Sequence, residues 1–120
     1  MFDKFFPDRY VASTYVIDFE GLYKEGVRGL IFDIDNTLVP HGAPADERAR
    51  ALFKRLKSIG FRCCLISNNQ KPRVEMFNKD IQVDYVYNAH KPSIRNYLKA
   101  MEIMGTDRDS TVFILSLIHI

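Results

Sequence analysis

From Val27 onward, short apolar runs alternate with stretches of helical spacing. The run VRGLIFD is β-rich and ends on acidic and polar residues, which predicts a buried strand feeding a loop, with Asp33 at the strand's carboxyl end. After the turn residues Pro40, Gly42 and Pro44, the positions Ala45, Ala49, Leu52, Phe53, Leu56 and Ile59 repeat at helical intervals, with acids early, bases late and Gly60 just beyond the end. FRCCLIS then reads as a second buried strand. Pro72 opens a short helix through Val74 and Phe77, and DYVYNA holds a third strand. A further helix begins at Pro92, with Ile94, Tyr97, Leu98 and Met101 as its inward face and Gly105 as its stop, before TVFIL returns as a strand. Such alternation implies an α/β fold, a doubly wound and mostly parallel sheet, with ligands bound beyond the carboxyl ends of its strands.

The first 25 residues break this regularity. Phe2, Phe5, Phe6, Tyr10, Tyr15, Phe19 and Tyr23 are interleaved with charges and follow neither a helical nor a strand period, so residues 1–25 read as an N-terminal aromatic arm preceding a domain over 26–114. Packing across the domain to cover apolar surface is the favoured role of the arm; a platform for substrate or lipid is the other.

Composition narrows the class. A chain of 120 residues with 47% hydrophobic and 27% charged residues suits one ordinary globular domain. Its formal charge of +2 is too small to signal a specific nucleic-acid partner, although it tolerates an anionic substrate or an acidic lipid surface. The start MFDKFFPDRY is charged too early for a secretory signal, and no segment offers the ~20 apolar residues of a membrane span. Cys63 and Cys64 are adjacent on a strand, so their side chains point to opposite faces and form no ordinary bridge. The expected setting is reducing and cytoplasmic, compatible with peripheral contact at a membrane.

Three polar clusters follow strands or begin helices: Asp33-Ile34-Asp35-Asn36-Thr37, Ser67-Asn68-Asn69 and Lys91-Pro92. Taken singly, each is ordinary turn or capping chemistry. All three fall in order at predicted sheet ends, however, where a doubly wound sheet places its site. A carboxylate there can capture a phosphoryl group while a second one protonates the leaving group and later activates water, roles that suit Asp33 and Asp35. An anionic nucleophile approaching a phosphate needs positive charge and donors, which Lys91, Thr37 and Ser67 can supply together with a hard cation. His41 and His90 lie near these clusters without a metal-like ligand set and read as surface or loop residues. Met101 and Met104 read as core or helix-end residues.

FDIDNTL resembles the first motif of the haloacid dehalogenase (HAD) superfamily, LISNN the second and HKPS the third. More narrowly, FPDRYVAS, GLIFDIDNTLV, ISNNQKPRV and NAHKPS resemble the YqeG family of HAD type IIIA phosphatases, related to mitochondrial phosphatidylglycerophosphate phosphatases. The resemblance implies a Rossmann-like, HAD-like fold and a Mg2+-dependent phosphatase working through an aspartyl-phosphate. It makes Asp33 the nucleophile and a metal ligand, and Asp35 the general acid/base, facing the metal through its main-chain carbonyl. Ser67 binds phosphate with help from Asn68, Thr37 organises the first loop, and Lys91 holds phosphate and nucleophile electrostatically. The short stretches between motifs leave no room for a large cap, which implies an open site able to admit a bulky or membrane-presented substrate. The expected ligand is a phosphorylated small molecule or a lipid head group, with phosphatidylglycerophosphate favoured.

Beyond TVFI the family pattern calls for a Gly-Asp turn and a later Asp that complete the magnesium site, but this chain reads LSLIHI. Those six residues match the translation of a transposon-end adaptor used in sequencing libraries. Residues 115–120 are therefore expected to be a non-native tail, and the natural domain to continue. Two other functions stay open: a non-catalytic HAD-like module that binds phosphate or a partner, and a phospho-accepting receiver domain. Asp-x-Asp-x-Thr on the first regular strand disfavours the receiver.

Overall fold

A computed structural model describes residues 14–35, 37–87 and 94–114. A 3-10 turn at Thr14–Val16 precedes helix α1 (Phe19–Lys24) and strand β1 (Gly29–Asp33). Then follow α2 (Glu47–Ile59), β2 (Arg62–Ile66), α3 (Lys71–Asn78), β3 (Asp84–Val86), α4 (Ile94–Met104), a 3-10 turn at Arg108–Ser110 and β4 (Thr111–Ile114). The four strands form one sheet in the order β3-β2-β1-β4, and every pairing is parallel. This is the Rossmann-like α/β architecture the alternation predicts.

Strand alternation divides the core into two layers. Leu30 and Phe32, Cys63 and Leu65, and Val112 and Ile114 face a large cluster built with α1, α2 and α3, in which Phe19, Leu56, Val74 and Phe77 are buried. Ile31, Cys64, Ile66 and Val86 face the other way, onto Tyr97, Ala100, Met101 and Met104 of α4. The chain steps outward from β1 to β2 to β3 and then crosses back to β4 on the far side of β1. Parallel crossovers are right-handed, so reversing the direction of travel sends α4 to the opposite face from α2 and α3. The reversal puts the topological switch between β1 and β4, with Asp33 closing β1 beside it.

Local signals account for the helices. Asp46 caps α2 by accepting from the Ala49 amide at 2.8 Å, and Gly60 ends it at φ 121°, a conformation L side chains rarely adopt. The arm's second half holds a helix for which its sequence shows no period. Residues 19–24 form a helix, which Asp18 caps by accepting from Gly21 N at 3.0 Å, and Phe19 is completely buried. Six residues are fewer than two turns, too short for a period to be seen in the sequence. Tyr23 stacks edge-on against Phe61, with ring centroids 5.4 Å apart. Phe2, Phe5, Phe6 and Tyr10 lie outside the described residues, as do residues 115–120.

The expected inward face of α4 needs correction. Tyr97 and Met101 are buried as read, but Ile94 and Leu98 are 63% and 50% exposed, and Ala100 and Met104 take the places against the sheet. A small residue at the contact lets the helix axis approach the strands closely, and the helix rotates to use it. Among the described residues, no helix is long and apolar enough to cross a membrane.

Candidate active site

The first two polar clusters meet at the carboxyl ends of adjacent strands. Asp33 pairs with Ile66 in the parallel register, which brings Ser67, the next residue, beside the end of β1. Asp33 is half-buried, Ser67 is buried, and Asn68 is exposed at the rim. Past Asp33 the chain turns tightly, with the Leu38 amide donating to the Ile34 carbonyl at 3.0 Å. Two residues of the N-terminal segment hold this loop from outside. Thr14 Oγ1 donates to the Thr37 carbonyl at 3.1 Å, and the Tyr15 hydroxyl donates to the Leu38 carbonyl at 2.7 Å.

Three hydrogen bonds anchor the Asp35 carboxylate. Its Oδ1 accepts from the Gly42 amide at 2.8 Å and from Arg73 Nη2 at 2.7 Å, while Oδ2 accepts from Asn69 Nδ2 at 2.6 Å. Burial alone would raise the Asp35 pKa, but the Gly42 amide and the Arg73 guanidinium outweigh it and hold the carboxyl below the ordinary range. His41 stands 3.9 Å from Oδ1 with a side chain that is 77% exposed, in keeping with a loop histidine.

Asn69 joins the two clusters. Besides Asp35, it reaches Ser67 Oγ through its main-chain amide at 3.0 Å and through Nδ2 at 3.2 Å. A hydroxyl offers two acceptor positions and one donor, so among the described residues Ser67 has both acceptor positions occupied and no acceptor for its proton, which can serve an incoming oxygen. Thr37 Oγ1 is buried and, among the described residues, has no hydrogen-bond partner.

Of the residues anticipated from the sequence, Asp33, Asp35, Thr37, Ser67 and Asn68 thus gather at one sheet end, whereas Lys91 lies outside the described residues. Asn69 and Arg73 were given no role. A signal for Arg73 existed: it is a base in the first turn of a helix, where the dipole disfavours positive charge.

The donor set bears on the expected cation. Among the described residues, no three His, Cys, Asp or Glu side chains gather to hold a metal. Both carboxylate oxygens of Asp35 are taken by N–H donors. Mg2+ nevertheless commonly binds through one or two carboxylates and substrate phosphate with several waters retained, and the Asp33 carboxylate with the Asp35 carbonyl suits that habit.

No protein-family model matches the chain. It is 34% identical over 116 residues, 95% of this chain and 67% of the relative, to the "Probable phosphatase YqeG" of Bacillus subtilis (strain 168). The crystal structure of a hypothetical protein from Xanthomonas campestris superposes with a TM-score of 0.61 at 18% identity, over 88% of this chain. At that identity the likeness speaks for the fold alone, and this chain spans 63% of that protein's length. Identity of this extent with the Bacillus protein shows the family: the chain belongs to the YqeG family.

Proposed function

We propose that this protein is a Mg2+-dependent phosphatase of HAD type that hydrolyses a phosphomonoester through an aspartyl-phosphate. The observation that carries the reading is the chain of hydrogen bonds from Asp35 through Asn69 to Ser67, which gathers two separate polar clusters around the end of β1 beside Asp33. Family membership supports a phosphorylated substrate.

In this mechanism an Asp33 oxygen attacks phosphorus and the bond to the leaving oxygen breaks. Asp35 gives the departing oxygen a proton. Water then attacks the phosphoryl-aspartate, Asp35 takes the water's proton, and phosphate leaves with Asp33 restored. The Ser67 and Thr37 hydroxyls, neither of which donates to another described residue, donate to phosphoryl oxygens, and Lys91 adds positive charge. Bound Mg2+, held by the Asp33 carboxylate and the Asp35 main-chain carbonyl, would offset the crowded negative charge. Phosphatidylglycerophosphate is the favoured substrate by family likeness, met at a membrane surface.

Asp33→Asn removes the nucleophile while keeping its shape. Phosphate release should fall to background while the circular dichroism spectrum and melting temperature stay near wild type, and chelation of Mg2+ in the unaltered protein should have the same effect on activity. Wild-type turnover by Asp33→Asn would remove the mechanism. Phosphate binding without turnover in the unaltered protein would instead favour a non-catalytic phosphate-binding module.

A further inference from the structure

Arg73 occupies an unfavourable place by local rules. Helix α3 has Gln70 at its N-cap with no side-chain cap bond and no acid in its first turn, so Lys71 and Arg73 add positive charge to the positive end of the dipole. The guanidinium is also nearly buried, 13% exposed, and its Nε and Nη1 find no partner among the described residues. Each buried donor left unmade costs about 1–3 kcal/mol. What its position does achieve is the contact of Nη2 with Asp35 Oδ1 at 2.7 Å.

That contact completes a three-point clamp. Gly42 reaches Asp35 from the loop after β1, Asn69 from the end of β2 and Arg73 from α3, so rotation of the carboxylate is fixed from three segments. The two oxygens are not equivalent. Among the described residues Oδ1 accepts two N–H bonds and Oδ2 one, which leaves Oδ2 as the oxygen able to carry a proton.

We propose that Arg73 is a positioning residue for proton transfer: with the Gly42 amide it occupies Oδ1 and presents Oδ2 of Asp35 to the leaving oxygen and later to water. This rests on the phosphatase reading above. Misplacing an acid or base by about 1 Å can cost a hundredfold in rate.

Leaving groups distinguish this role from general support of the fold. p-Nitrophenolate departs without a proton, whereas phenolate needs one, so loss of a well-placed acid weighs more on phenyl phosphate. In the full-length protein, Arg73→Ala should lower kcat/KM for phenyl phosphate about 100-fold and for p-nitrophenyl phosphate about tenfold or less, since general acid catalysis contributes about 10²–10⁴. Arg73→Lys, which keeps the charge but loses the planar fork, should recover part of the difference and carries the test if the alanine variant does not fold. Competitive inhibition by inorganic phosphate should change less than twofold, on the order of the scatter between independent sites. Equal losses on the two substrates would overturn the proposal. So would a tenfold weaker inhibition by phosphate with leaving-group dependence unchanged, which would put Arg73 on the phosphoryl group. Absence of turnover in the wild type on both esters would sink the phosphatase reading and this role with it, a result distinct from an active enzyme indifferent to Arg73.

Discussion

The pair Asp35–Arg73 should be asymmetric in stability. Both side chains are nearly buried, at 12% and 13% exposure, so cutting either one strands a charge in poor contact with water. The remaining partners differ. Without Arg73, Asp35 keeps the Gly42 amide at 2.8 Å and Asn69 at 2.6 Å. Without Asp35, Arg73 has no other hydrogen-bond acceptor among the described residues, since Nε and Nη1 are already unpartnered. Losing one partner of a buried pair costs about 3–5 kcal/mol when the survivor is left uncompensated, and Asp35→Ala should reach the lower end of that range. Arg73→Ala removes one charged hydrogen bond, worth about 1.5–3 kcal/mol, and also removes two donors that lack partners among the described residues, so its net cost should be about 1 kcal/mol. At roughly 3–6 °C per kcal/mol for a domain of this size, melting temperature should drop by roughly 10 °C or more for Asp35→Ala and by about 5 °C for Arg73→Ala. Urea denaturation at pH 7 gives the free energies directly. The pH dependence has a definite sign: the folded pKa of Asp35 lies below its unfolded value near 3.8, so the pair's contribution is complete above that value and fades as pH falls through the lower, folded one. The gap between wild type and Arg73→Ala should therefore persist from pH 7 to about pH 5 and close only in stronger acid. An Arg73→Ala variant as unstable as Asp35→Ala would refute the asymmetry.

Two further outcomes follow from burial. Cys63 and Cys64 are buried on opposite faces of β2, and burial pushes both thiols up to about 12, so at pH 8 the thiolate fraction, and with it alkylation by iodoacetamide, should be on the order of 10³ lower than for a thiol at 9.0; rapid labelling of the native protein would contradict this. Tyr15→Phe removes the 2.7 Å bond to the Leu38 carbonyl and should destabilise by about 1 kcal/mol in urea, with an unchanged midpoint showing that water replaces the hydroxyl.

Strands β1 and β2 were legible because both of their faces are buried, which writes them as unbroken apolar runs, and α2 because its apolar stripe is narrow and its ends carry Asp46 and Gly60. Helix α4 shows the limit of the same method. Ile94, Tyr97, Leu98, Ala100, Met101, Ile103 and Met104 wrap well beyond one face, so the period is clear while the phase is not. Reading by hydrophobicity selects Ile94 and Leu98; close packing on the sheet selects Ala100 and Met104, a preference that appears only when the strands are there to pack against.

The candidate site divides in the same way. Asp33, Asp35, Thr37 and Ser67 could be placed because each follows directly from the end of a strand, and parallel strands deliver their carboxyl ends to one edge. The clamp on Asp35 could not, because Asn69 and Arg73 stand 34 and 38 residues away and become neighbours only after α2 crosses over and β2 pairs with β1. What the sequence did hold was an inconsistency: two bases at the positive end of α3 with no acid in its first turn. Local rules broken at one helix end point to a demand made elsewhere in the fold, and here that demand comes from a carboxylate at the mouth of β1, whose orientation Arg73 helps to set while two of its own buried donors find no partner among the described residues.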